Sequence, residues 1–203
     1  MKKEKIVRLT QLALLSAIIW LMSFTPLGYL KTVGLEISFL MIPVLVGAML
    51  LGPASGAILG LQFGITSFIQ CFGMSSFGGS LLAINPFFTF LVCVPTRVLA
   101  GLVPGLLFRA LEKVDRSPAK VVAAVVTSLC GCLSNTVFFM GTLVALFWRT
   151  EVLIGMQNLL GTTNVLLFIV LFVGVQGVVE IIVAAVVSTP VVLAVRRALR
   201  RFA

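Results

Sequence analysis

The chain contains no histidine. Without an imidazole it cannot assemble a Ser-His-Asp or Cys-His nucleophilic site, nor the usual histidine-ligated metal centre. Acidic residues are scarce too. There are six, most of them in or beside connecting segments, which leaves no paired carboxylates for acid–base chemistry or a magnesium clamp. No G-x-x-x-x-G-K-[ST] loop occurs, so an ATP-driven step would need nucleotide machinery on another polypeptide. Cys71, Cys93, Cys130 and Cys132 fall in or at the ends of apolar runs, and Cys130-Gly-Cys132 alone is not a zinc spacing. Each reads as a small buried hydrophobe, with no disulfide required. These absences argue against an enzyme and against a resident metal or cofactor.

What the chain has in abundance is apolar sequence. Hydrophobic residues make up 60% and charged residues 10%, and mean hydropathy is +1.21, the profile of a multi-pass membrane protein. The alternating pattern of a membrane barrel is absent. A helix needs about 20 apolar residues to cross the hydrocarbon core, so 203 residues hold a single all-α transmembrane domain over 1–203, a compact six-helix bundle. The spans are expected near 9–27, 35–51, 54–71, 82–109, 119–147 and 163–196. The second is short, and Pro43 inside it predicts a broken or tilted helix, with Gly52-Pro53 forming a tight turn into the third. The last two exceed the bilayer, so they tilt or their outer ends enter folded loops. No A-x-A cleavage site follows the first run, which reads as a retained helix.

Basic residues gather in three clusters: Lys2, Lys3, Lys5 and Arg8; Arg109, Lys113, Arg116 and Lys120; and Arg196, Arg197, Arg200 and Arg201. An even number of spans puts all three on one side, and the positive-inside rule makes that side the cytoplasm, with both termini inside. Topology accounts for the clusters without nucleic-acid binding. The opposite loops hold only Lys31, Glu36, Arg149 and Glu151.

Gly52, Gly56, Gly60 and Gly64 recur every fourth residue on one helix face. In water each would cost about 1 kcal/mol against alanine. In lipid, small residues at this spacing let helices approach closely, so the stripe is expected to serve helix packing. Ala13 and Ala17 on the first span make a smaller face of the same kind.

Two ionisable residues lie at membrane depth, where such groups mark functional sites by default. Arg97 is twelve positions before Arg109 and Glu180 sixteen before Arg196, about 18 and 24 Å from the cytoplasmic ends at 1.5 Å per residue. Asn135, fifteen positions after Lys120, falls at a similar level. Gln176 precedes Glu180 by one turn on the same face. Gln70, Asn85, Gln157, Asn158 and Asn164 lie nearer the outer ends. Two readings stay open. An Arg97–Glu180 ion pair with Asn135 as glue would lock the bundle. Alternatively Arg97 receives a ligand carboxylate or phosphate, with Asn85, Asn135, Gln176 and Glu180 completing the site. The uncharged, glycine-rich stretch 72–80 on the outer side reads as a mobile lid or a plain connector.

Ala13-x-x-x-Ala17, the run from Pro43 through Gly47 and Gly52-Pro53 to Gly60, Asn85-Pro86, and Pro95-Thr-Arg97 through Gly101 carry a resemblance over nearly the whole chain. The sequence resembles the substrate-binding S components of energy-coupling factor (ECF) vitamin transporters, in the broad group of riboflavin, pantothenate and cobalamin carriers. The resemblance implies a prokaryotic plasma-membrane subunit that captures a vitamin or related micronutrient outside. Such a subunit docks on a transmembrane coupling subunit with two cytoplasmic ATPases and releases its cargo inside. It also implies that Ala13 and Ala17 contact the coupling subunit. An ion-coupled secondary transporter and a non-transporting scaffold are the alternatives from other classes; no internal repeat supports the first.

Overall fold

The computed structural model describes the backbone of residues 2–26, 28–31, 36–112 and 117–202, with side chains except at 2–4, 29–31, 36–37, 117–119, 175–176 and 199–202. Lys113 and Arg116 therefore lie outside the described residues. The elements run α1 (Lys2–Ser23), β1 (Tyr29–Lys31), β2 (Glu36–Ser38), α2 (Met41–Leu51), α3 (Pro53–Gln70), α4 (Ser76–Ile84), α5 (Pro86–Leu111), α6 (Ser117–Phe147), α7 (Glu151–Leu160) and α8 (Val165–Phe202). The strands pair antiparallel with Tyr29 opposite Ser38.

Among the described residues four stretches are long and apolar enough to cross a membrane: Lys5–Ser23, Pro86–Leu111, Lys120–Phe147 and Gly177–Ala198. A fifth would be the pair α7 and the start of α8, bent by 78°. The expected second span near 35–51 is corrected. Glu36 and Ser38 flank Ile37 with the two-residue period of a strand, so that stretch begins as β2 and leaves α2 eleven residues, about half a bilayer crossing. Pro43 sits in the first turn of α2 and does not break it, because no backbone N–H is needed there. At 18 residues, α3 is diluted by Gly56, Gly60, Gly64, Gln62 and Gln70 and is not among the four. The expected span 163–196 is broken at Gly174, whose φ of 40° and ψ of −137° lie outside the helical region.

The expected glycine stripe divides by role. Gly52 makes the tight turn expected at Gly52-Pro53 and is corrected only as a packing residue: its φ of 89° closes α2 and opens α3, with Pro53 at the first helical position. Gly56, Gly60 and Gly64 lie on the backbone of α5. A Cβ at Gly56 or Gly60 would overlap the carbonyl oxygens of Gly101 or Arg97, and one at Gly64 would sit 2.8 Å from Val94 Cα. Gly101 and Gly105 reciprocate from α5 against Gly56 and Pro53. These two helices thus meet backbone to backbone, the closest approach small residues permit.

Polar contacts at one end of the bundle identify which helix ends lie together. Arg8 Nη2 donates to the Leu51 carbonyl at 2.5 Å. Arg196 pairs with Glu112, donates to the Met49 carbonyl at 3.0 Å and stacks 4.6 Å from the Phe108 centroid. The start of α1 and the ends of α2, α5 and α8 therefore share one end. At the other, Gln70 at the close of α3 donates to the Ser23 carbonyl at the close of α1. Val44, Leu45, Leu59 and Ala100 fill the core between α2, α3 and α5, and Leu143, Phe147, Leu153 and Phe168 form a second cluster around α7.

Candidate functional site

Arg97 follows Pro95 by two residues in α5. Pro95 has no N–H for the Leu91 carbonyl four residues back, which interrupts the helical ladder just before the arginine. Side chains on a helix lean toward its N-terminus, and Arg97 folds back that way, Nη1 donating to the carbonyls of Val92 at 3.1 Å and Cys93 at 3.3 Å. Its guanidinium lies between the rings of Phe63 on α3 and Phe139 on α6, 4.9 and 4.7 Å from their centroids. Two aromatic faces make burial of this cation tolerable. The opposite edge of the fork is unpaired among the described residues: Nε is buried without a partner, and Nη2 donates no hydrogen bond.

That arginine lines a cavity of about 360 Å³ in the half of the bundle away from the Arg8–Arg196 end. The halves of α3, α5, α6 and α8 remote from that end make its walls, and Met74, Ser75, Phe77 and Gly78 lie over it. Asn135 and Glu180 line it as well. Glu180 Oε1 accepts the backbone N–H of Ser38 at 2.7 Å, tying the ribbon to α8. Asn135 Oδ1 and Ser38 Oγ are buried without partners among the described residues. Among the described residues Arg97 and Glu180 form no ion pair with each other; each has other neighbours and both face the same space.

Gln70 lines the cavity too, whereas Asn85, Gln157 and Asn164 do not. Asn85 caps α5, its Oδ1 accepting the N–H groups of Phe87 and Phe88 at 3.1 Å, and it does not line the cavity. Asn164 caps α8 in the same way, and Gln157 donates to the Trp148 carbonyl at 3.0 Å. Gln176 lies on α8, but its side chain is outside the described residues. Ala13 and Ala17 are exposed on α1, beside Leu14 and Leu21, also exposed; of the four long helices α1 is the least covered. Stretch 72–80 is largely helical, since Ser75 accepts from Gly78 N and starts α4.

Sequence reasoning did not single out Ser38, Phe63 or Phe139. Phe139 stands one turn beyond Asn135, and Phe63 one turn beyond Gly60 on the stripe side; both spacings were visible. Ser38 had no local signal, because its place depends on a residue 142 positions away.

A family model described as the ECF transporter, substrate-specific component, matches residues 7–192. No curated protein shows a significant match to the chain.

Proposed function

Since the chain belongs to the substrate-specific components of ECF transporters, and so is a substrate-binding transporter subunit rather than an enzyme, we propose that the cavity below α4 captures a small vitamin or related micronutrient. One observation carries this reading. Arg97 Nε, Asn135 Oδ1 and Ser38 Oγ, buried polar atoms from three elements, have no hydrogen-bond partner among the described residues while their residues line one cavity. Each such group costs about 1–3 kcal/mol unless something meets it. A purely structural network would instead pair Arg97 with Glu180.

Arg97 presents Nε and Nη2 side by side, the edge that grips a carboxylate through two parallel hydrogen bonds. A dianionic phosphate fits less well, because Glu180 lines the same cavity. Asn135 and Glu180 accept hydrogens from ligand hydroxyl or amide groups, and Gln176, one turn before Glu180, extends that face. The aromatic rings of Phe63, Phe77, Phe139 and Phe172 supply the apolar remainder of the wall.

In the membrane, α1, α2, α3, α5, α6 and α8 form the six-helix bundle within a single domain, with the Arg8–Arg196 end and both termini in the cytoplasm. The cavity then opens outward, in a prokaryotic plasma membrane. Because the chain has no nucleotide-binding loop, energy comes from two cytoplasmic ATPases through a transmembrane coupling subunit, which meets the exposed Ala13–Ala17 face. Thermal unfolding of the purified chain against a vitamin panel tests this. A saturable rise with one compound supports capture, and no rise with any of them rejects it.

A further inference from the structure

Two thiols with no part in the proposed capture stand in the wall of the same cavity. Cys71 closes α3, Cys93 lies two turns into α5, and their Sγ atoms are 3.9 Å apart. Both are free, 5% exposed, and cavity-lining. Gly78 of α4 presses on the first: a Cβ there would lie 2.6 Å from Cys71 Sγ. The thiol is therefore hemmed in on its α4 side and held toward Cys93.

We propose that Cys71 and Cys93 form a clamp for one thiophilic divalent cation, zinc or the softer cadmium. Metal–sulfur bonds of about 2.3 Å across the observed gap give an S–metal–S angle of about 116°, between trigonal and tetrahedral, with neither helix moved. A disulfide would need the sulfurs at about 2.05 Å. That would close the gap by nearly half, between helices whose backbones are already in contact at Gly60 and Gly64.

The step is an exchange of protons for metal. Two thiols lose their protons to water in the cavity, two metal–sulfur bonds form, and no electron is transferred. A divalent cation with two thiolates is neutral, which suits a wall packed by Phe68, Leu82 and Val94. Among the described residues no group of three Cys, His, Asp or Glu is placed to hold a metal. Water completes the shell, which selects soft ions content with few protein ligands. A cation held there occupies one wall of the cavity below α4 and leaves most of its volume of about 360 Å³ to the transported substrate. The clamp rests on the sulfur geometry and stands apart from the identity of that substrate.

The test is titration of the reduced, purified full chain with Cd²⁺ alone, followed by the ultraviolet thiolate-to-cadmium charge-transfer band. The band is expected to saturate at one cadmium per chain, to vanish in Cys71→Ser and in Cys93→Ser, and to persist in the Cys130→Ser/Cys132→Ser double variant. No saturable band, or a band that survives loss of Cys71 or Cys93, overturns the proposal. Alkylation mapping of the wild-type protein decides the matter even if a serine variant fails to fold. Cadmium should shield Cys71 and Cys93 and leave Cys130 and Cys132 unchanged; shielding of the second pair instead, or of neither, refutes the clamp.

Discussion

Replacing Gly60 with alanine should lower stability and ligand affinity together, because this glycine rests on the backbone of the residue that anchors the site. The added Cβ would overlap the Arg97 carbonyl oxygen and lie 3.1 Å from its carbonyl carbon and 3.3 Å from Val98 Cα. Those are backbone atoms, so no side chain can rotate aside and α3 must shift from α5. Overpacking of this kind costs about 1–3 kcal/mol. For a chain of this length each kcal/mol moves the unfolding midpoint by about 2–4 °C, so the expected fall is roughly 2–12 °C. Gly141→Ala is the matched control: nothing lies within 4 Å of a Cβ there, and helix propensity favours alanine by up to about 1 kcal/mol. Thermal unfolding in detergent, read by tryptophan fluorescence, compares the two. Equal midpoints for wild type and Gly60→Ala, or an equal fall for Gly141→Ala, would refute the backbone-contact account.

Arg97→Ala should weaken ligand binding about 10- to 150-fold in equilibrium titration, the loss of charge-assisted hydrogen bonds worth about 1.5–3 kcal/mol; unchanged affinity in a folded variant removes Arg97 from the site. Asn85→Ala should lower the unfolding midpoint through loss of a helix cap worth about 1 kcal/mol while leaving affinity intact. A tenfold loss of affinity would instead return Asn85 to the ligand. Ala13→Leu combined with Ala17→Leu should spare binding and abolish uptake by vesicles holding the coupling subunit and ATPases. Uptake at the wild-type rate would disprove that docking face.

Hydropathy reveals α1, α5, α6 and the Gly177–Ala198 part of α8 because each is a long apolar run. Counting residues from the basic ends puts Arg97, Asn135 and Glu180 in one layer, and all three line one cavity; rise per residue is a local property that sequence carries. The rest depends on distant or subtle contacts. The ribbon is held to α8 through Ser38 and Glu180, a pairing no local pattern announces. Glycine and serine in 72–80 hide a helix whose only marker is Ser75 as its cap. The capping role of Asn85 is legible locally, because asparagine followed by proline marks a helix start. The break at Gly174 lies in an unbroken apolar run, where only its backbone angles reveal it.

Mass spectrometry of the small molecules carried by the protein through purification tests the central claim most directly. The account predicts one small carboxylate-bearing compound near one per chain, lost when Arg97 is replaced by alanine in a folded protein. A compound retained equally by that variant, or none retained and none bound from a vitamin panel, would contradict it.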